Sequence, residues 1–209
     1  MNHLTDYLKN NAKATPHKLA LVTNERSMTW QELWHEVLAG ASFINQQLNS
    51  ESPRVVALLM PNSWQYVVAN LAVVHAGHIA MPIDVIFKPL EIEAILDQMS
   101  PQLLITDQAG LARLNYDRLP ILNVADLPTK PLATNDTFLR LPADQQIASL
   151  LFTSGTTGRP KAVPYTHANH IWNIEACSQV WRWSADDSLL ISLRLSHMHG
   201  LVMGLSGVL

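Results

Sequence analysis

Residues 54–60, the run RVVALLM, constrain the fold of this chain more than any other feature. A strand with one wet face alternates apolar and polar side chains, and this run does not. It therefore reads as a strand covered on both faces, the situation of a strand inside a parallel sheet. Pro61 and Asn62 end it, and Asn62 is placed to cap a helix reaching about Ala76. Gly77 then closes that helix, since glycine tolerates the left-handed conformation a helix end requires.

The rest of the chain repeats the alternation of strand and helix. Leu4 to Ala14 reads as a helix stopped before Pro16. Residues 19–23 form a short apolar strand. Thr29 caps a helix, Glu32 completes a capping box, and Trp30, Leu33, Trp34, Val37, Leu38 and Ala41 recur at helical spacing. Strands are predicted at 78–82, 103–106, 121–124 and 147–152. Pro89 sits where a first helical residue would, and 90–99 follows as a helix. Residues 125–143, rich in Pro, Thr, Asp and Asn, read as a long surface connection. Residues 162–165 are extended, 167–183 helical and 189–193 extended again. This order predicts an α/β fold with a mostly parallel sheet flanked by helices. The six tryptophans, at 30, 34, 64, 172, 181 and 183, fall largely on helical faces and read as core.

Composition removes several functional classes. Apolar residues make up 48% of the 209 and charged residues 15%, so a sizeable core is available. A net charge of −3 gives no basic surface for nucleic acid. The single cysteine, Cys177, cannot form an intrachain disulfide and reads as a small buried apolar residue. No basic segment followed by an apolar one opens the chain, and the longest apolar region, 66–83, is interrupted by Asn70, His75, Gly77 and His78. A cytoplasmic protein without a membrane span is the expectation.

The chemistry-bearing stretch follows the strand at 147–152. In Thr153, Ser154, Gly155, Thr156, Thr157 and Gly158, four hydroxyls and two glycines occupy six positions, with Pro160 and Lys161 just beyond. Glycines let backbone N–H groups converge, hydroxyls add rotating donors, and a lysine adds a cation. A polyphosphate suits such a loop, while a flexible Ser/Thr/Gly surface loop is the bland alternative. The glycine spacing is not that of a Walker A loop.

Residues 151–163, LFTSGTTGRPKAV, resemble the AMP-binding signature of adenylate-forming enzymes. Three weaker segments resemble that superfamily in its order: MTWQEL at 28–33, HAGHIAMPID at 75–84 and LSHMHGL at 195–201. The last points to the acyl-CoA synthetase branch. The resemblance covers the whole chain and implies the N-terminal portion, residues 1–209, of the large AMP-binding domain. It implies ATP-dependent conversion of a carboxylic acid to an acyl-adenylate and then, with coenzyme A as co-substrate, to an acyl-CoA. Mg²⁺ accompanies the nucleotide.

By the same resemblance, Thr153, Ser154, Gly155, Thr156, Thr157, Gly158 and Lys161 hold the phosphates. Lys161 and His197 are the catalytic candidates, His197 through a substrate-gating or carboxylate-facing role. No residue is assigned to a metal, since His197 and His199 alone make a weak ligand set. The chain departs from the family with Ala162 for Gly, Arg194 for Pro and Ser196 for an aromatic residue. Arg194 reads as an exposed or ion-paired arginine, with a substrate carboxylate as the alternative. His167 and Asn169 read as helix caps or ligand contacts, and His75 and His78 as structural.

The family's later adenine, ribose and C-terminal lysine motifs do not occur in these residues, and the segment from Met198 to Leu209 stops on apolar side chains. The expectation is a C-terminal domain absent from this chain, supplied by a further region or a second chain. Alternatively, the chain is a truncated, non-catalytic nucleotide-binding piece.

Overall fold

The computed structural model describes residues 3–130, 138, 144–153 and 161–209. In chain order the elements are α1 (Leu4–Ala14), β1 (Leu19–Val22), β2 (Ser27–Thr29), α2 (Trp30–Leu48), β3 (Val55–Leu59), α3 (Trp64–His75), β4 (Ile79–Pro82), α4 (Pro89–Met99), β5 (Leu103–Thr106), α5 (Gln108–Leu111), β6 (Ile121–Asn123), β7 (Ile147–Thr153), β8 (Lys161–Thr166) and α6 (His167–Trp181). A 3-10 turn follows β6, and the chain closes on a π-helical segment, His199–Leu205, and a 3-10 turn.

Six strands form the main sheet in the order β6-β5-β3-β4-β7-β8. The first five run parallel, and β8 returns antiparallel to β7. β1 and β2 make a separate hairpin. The central position of β3 explains its unbroken apolar run. Val56, Leu58 and Met60 join the core under α1, α2 and α3, while Ala57 and Leu59 join the core under α4 on the other face. Burying each such aliphatic side chain contributes about 1.5–3 kcal/mol, so a polar residue at any of these positions would be costly.

Local signals act where the sequence places them. Thr29 Oγ1 accepts from the Glu32 N–H and Glu32 returns a carboxylate to Thr29, a complete capping box. Pro89 opens α4 and Gly77 sits at φ 84° after α3. The connection leaving β3 leads to α3 on one face, and that leaving β4 leads to α4 on the other. A crevice therefore opens at the carboxyl ends of these two strands, the usual ligand position in parallel α/β sheets.

Several expectations are corrected. Ser63, not Asn62, caps α3, because Asn62 is committed to a distant loop. Residues 189–193 join no strand ladder among the described residues, and α6 ends at Trp181 rather than Trp183. Trp30 and Trp34 are core, but Trp172 is 72% exposed and Trp181 52%. Helical spacing placed them on a helix without saying what covers it. Cys177 is half-buried, with its thiol beside Asn173 and Met203. Within the connection at 125–143, residues 131–137 and 139–143 lie outside the described residues. No described helix is long and apolar enough to cross a membrane.

Candidate functional site

The carboxyl edge of the sheet gathers three chain segments. The first follows β3: Met60, Pro61 and Asn62. The second follows β4: Ile83, Asp84 and Val85. The third, residues 193–197, arrives from the far end of the chain and is held by α3. Asn62 Nδ2 donates to the Leu193 carbonyl at 2.8 Å, and Asn62 Oδ1 accepts from the Leu195 N–H at 2.9 Å. The buried Tyr66 hydroxyl donates to the Leu195 carbonyl at 3.0 Å. Burial raises the Tyr66 pKa far above that of an ordinary phenol, so this donor stays protonated. Gly200 completes the clamp: a Cβ there would lie 2.1 Å from the Arg194 carbonyl oxygen.

Asp84 is the organising group. Its side chain is 4% exposed, and Oδ2 lies 2.5 Å from His197 Nε2 and 3.0 Å from Arg194 Nε. Its other oxygen accepts from the Ile86 N–H at 3.1 Å. A carboxylate has no proton to give, so His197 Nε2 carries the hydrogen in that contact. Beside it, Met60, Pro61, Asn62, Val85, Arg194 and Ser196 line a half-open cleft of about 260 Å³.

The structure brings His197 and Arg194 together on one carboxylate and places Ser196 in the cleft wall. Arg194 is ion-paired, as one of its two readings holds. Asp84 had appeared in sequence only as the last residue of a family-like segment. The available signal was a carboxylate directly after the apolar strand residues 79–83, where an ionised group needs partners. His199 joins no metal cluster, and no group of three or more His, Cys, Asp or Glu that could hold a metal ion occurs among the described residues.

β7 also ends at this edge, since it runs parallel to β4. Thr153, its last residue, pairs with Lys161, the first of β8, and Thr153 Oγ1 lies 3.5 Å from the Lys161 carbonyl. The two ends of the hydroxyl-rich stretch are thus fixed side by side in one antiparallel ladder. Ser154, Gly155, Thr156, Thr157 and Gly158 lie outside the described residues. Lys161 is exposed at the hairpin's mouth.

Four of the other histidines take structural roles. His167 is fully buried, and its Nδ1 accepts from the Leu4 N–H at 3.0 Å, tying α6 to the start of α1. Thr166 is the cap of α6, and Asn169 completes its box from the third helical position. His75 Nδ1 lies 3.0 Å from Thr5 Oγ1. His78 accepts from the Arg54 N–H and pairs with Asn45, so both histidines have the partners that sequence alone did not show. Burial, reinforced by the Arg54 charge, lowers the His78 pKa to about 4. His170, between Ser149 and Ser206, is lowered to about 4 by burial alone.

The family model for AMP-binding enzymes matches residues 8–209. The chain belongs to the AMP-binding enzyme family. A probable CoA ligase of Humulus lupulus is 32% identical over 97% of this chain and 41% of its own length. An oxalate–CoA ligase of Arabidopsis thaliana is 29% identical over 97% of this chain and 42% of its own. The chain thus spans about two fifths of the length of these curated relatives. Among solved structures, O-succinylbenzoate coenzyme A synthetase from Bacillus subtilis, in complex with ATP and magnesium ion, superposes with a TM-score of 0.82 at 23% identity. That match covers all of this chain and 55% of the other. The fold is that of these AMP-binding neighbours.

Proposed function

We propose that this chain supplies the phosphate loop and the acid-facing cleft of an ATP-dependent acid–thiol ligase. The observation that carries the reading is the family match over residues 8–209, which takes in the hydroxyl-rich loop and the segment around His197. In the proposed reaction a carboxylate oxygen attacks the α-phosphorus of ATP and pyrophosphate leaves. The thiol of coenzyme A then attacks the acyl carbon of the adenylate and AMP leaves. Charge accumulates on phosphate oxygens in the first step, so positioning and fixed donors supply the rate enhancement.

The paired ends of the loop support this role. Thr153 and Lys161 sit in one ladder at the ligand-facing edge. Thr153, Ser154, Gly155, Thr156, Thr157 and Gly158 would donate to the phosphates, with the Lys161 ammonium beside them. Mg²⁺, bound with the nucleotide, would supply charge neutralisation at the phosphates. His197, fixed by Asp84, faces the acid.

We further propose that residues 1–209 form one portion of the AMP-binding domain and act together with polypeptide equivalent to the remainder of the relatives, in the same chain or a second one. Val163 on β8, Trp172, Val180 and Trp181 on α6, and Leu189, Leu190 and Leu193 beyond it are large apolar side chains left exposed. Exposed apolar side chains carried in this number on one stretch of chain support a surface covered by further protein. A non-catalytic nucleotide binder is the second reading, favoured by the two-fifths coverage.

The test incubates the 209 residues with ATP, Mg²⁺ and a panel of carboxylic acids. AMP and acyl-hydroxamate are measured with hydroxylamine as trap. We expect no turnover from the chain alone, and turnover when the remaining polypeptide is supplied. AMP and acyl-hydroxamate formation by the 209 residues alone would overturn the shared-site proposal. No turnover in the completed protein would leave the non-catalytic reading.

A further inference from the structure

Among the described residues, Arg194 is the one charged side chain in the lining of the cleft. Its neighbours there are apolar or neutral, and the volume, about 260 Å³, lies below the range of about 300–1,000 Å³ usual for drug-sized ligands. The charge pattern of this lining bears on which kind of acid the cleft takes.

Among the described residues, only one of the five guanidinium N–H groups is used by protein. Nε donates to Asp84 Oδ2 at 3.0 Å. Nη2 lies 3.3 Å from His197 Nε2, but that nitrogen already donates its hydrogen to the same carboxylate and cannot accept. The fork formed by Nη1 and Nη2 has no hydrogen-bond acceptor among the described residues. Asp84 does not need more of the arginine, because its oxygens also take His197 and the Ile86 N–H.

The arginine is held from both ends. Asn62 and Tyr66 fix the backbone on either side of it, and the buried Asp84 fixes the guanidinium at Nε. Half of the side chain nevertheless stays accessible. A pre-oriented planar fork with two free parallel donors is the complement of a carboxylate.

We propose that the cleft receives a dicarboxylic acid, and that Arg194 takes the carboxylate that is not activated. This rests on the ligase reading, in which the other carboxylate goes to the nucleotide. Arg194 is then a specificity-determining residue, and Asp84 its positioning partner.

The experiment titrates the ¹⁵N-labelled chain with succinate, butyrate and sulfate at constant ionic strength, following the Arg194 Nε–H and His197 ring signals. Succinate should give saturable shifts at concentrations where butyrate and sulfate give none. Arg194→Gln should weaken the succinate response at least tenfold, and Arg194→Lys should recover part of it. Equal responses to succinate and butyrate, an equal response to sulfate, or no response to succinate would each overturn the proposal, with no variant required. ATP is titrated in the same samples. Nucleotide binding without acid discrimination refutes the dicarboxylate proposal alone. Discrimination without nucleotide binding refutes the ligase reading alone.

Discussion

Lowering the pH from 7 to 4.5 challenges two histidines that the fold keeps neutral. His78 lies fully buried at the head of β4, with Nδ1 accepting from the Arg54 N–H and Nε2 facing Asn45 Oδ1. His170 lies fully buried between Ser149 of β7 and Ser206 near the C-terminal turn. Both have folded pKa values of about 4, against 6.5 when unfolded. Between these values the unfolded chain binds two protons that the folded chain refuses. Stability is therefore intact above about pH 6.5, falls as the pH drops toward 4, and levels off below it. Each histidine contributes a slope of roughly 1.4 kcal/mol per pH unit, so together they remove about 5 kcal/mol between pH 7 and 4.5. That is a third or more of the roughly 5–15 kcal/mol available to a typical domain. Glu32, whose hydrogen bonds from Thr29 hold its pKa below the usual 4.5, loses its contribution only as the pH falls below about 4.5. Urea unfolding read by fluorescence of the buried Trp30 and Trp34, repeated from pH 4.5 to 7.5, measures the slope. His170→Gln should halve it. Stability that does not change over this range, or a slope unaltered in both His170→Gln and His78→Gln, would refute the reasoning.

Two substitutions probe the clamp around Arg194. Gly200→Ala places a methyl group 2.1 Å from the Arg194 carbonyl, so it should destabilise the chain by about 1–3 kcal/mol and shift the Arg194 and His197 NMR signals. Wild-type stability with unmoved signals would show that the segment yields freely. Asp84→Asn replaces a buried charge that accepts from His197, Arg194 and the Ile86 N–H. It should cost about 1.5–3 kcal/mol in urea unfolding and broaden the Arg194 Nε–H signal as the guanidinium loses its anchor.

Much of the fold is legible because its signals are local. The RVVALLM run, the Thr29–Glu32 box, Pro89 and Gly77 each act within a few residues, and each appears where the sequence places it. Asn62 shows where local reading fails. It satisfies every requirement of a helix cap, but Ser63 takes that place because Asn62 reaches residues more than 130 positions away. The same holds for the site. His197 and Arg194 stand out in sequence, yet the group that unites them, Asp84, is 113 positions from His197 and becomes their partner only through the parallel order of β3 and β4. The exposed faces of Trp172 and Trp181 were illegible for another reason: periodicity marks a face as apolar without naming its cover.

The central claim is that the stretch between Thr153 and Lys161 holds the phosphates of ATP. Titration of the labelled chain with ATP and Mg²⁺, for wild type and Lys161→Ala, tests it most directly. Removing one cationic donor should cost about 2–4 kcal/mol in the transition state and a smaller part of that in ground-state binding. The account predicts saturable shifts at Thr153 and Lys161 in the wild type, and clearly weaker binding by the unchanged fold of Lys161→Ala. No nucleotide-dependent shift at these residues, or identical binding by the two proteins, would contradict it.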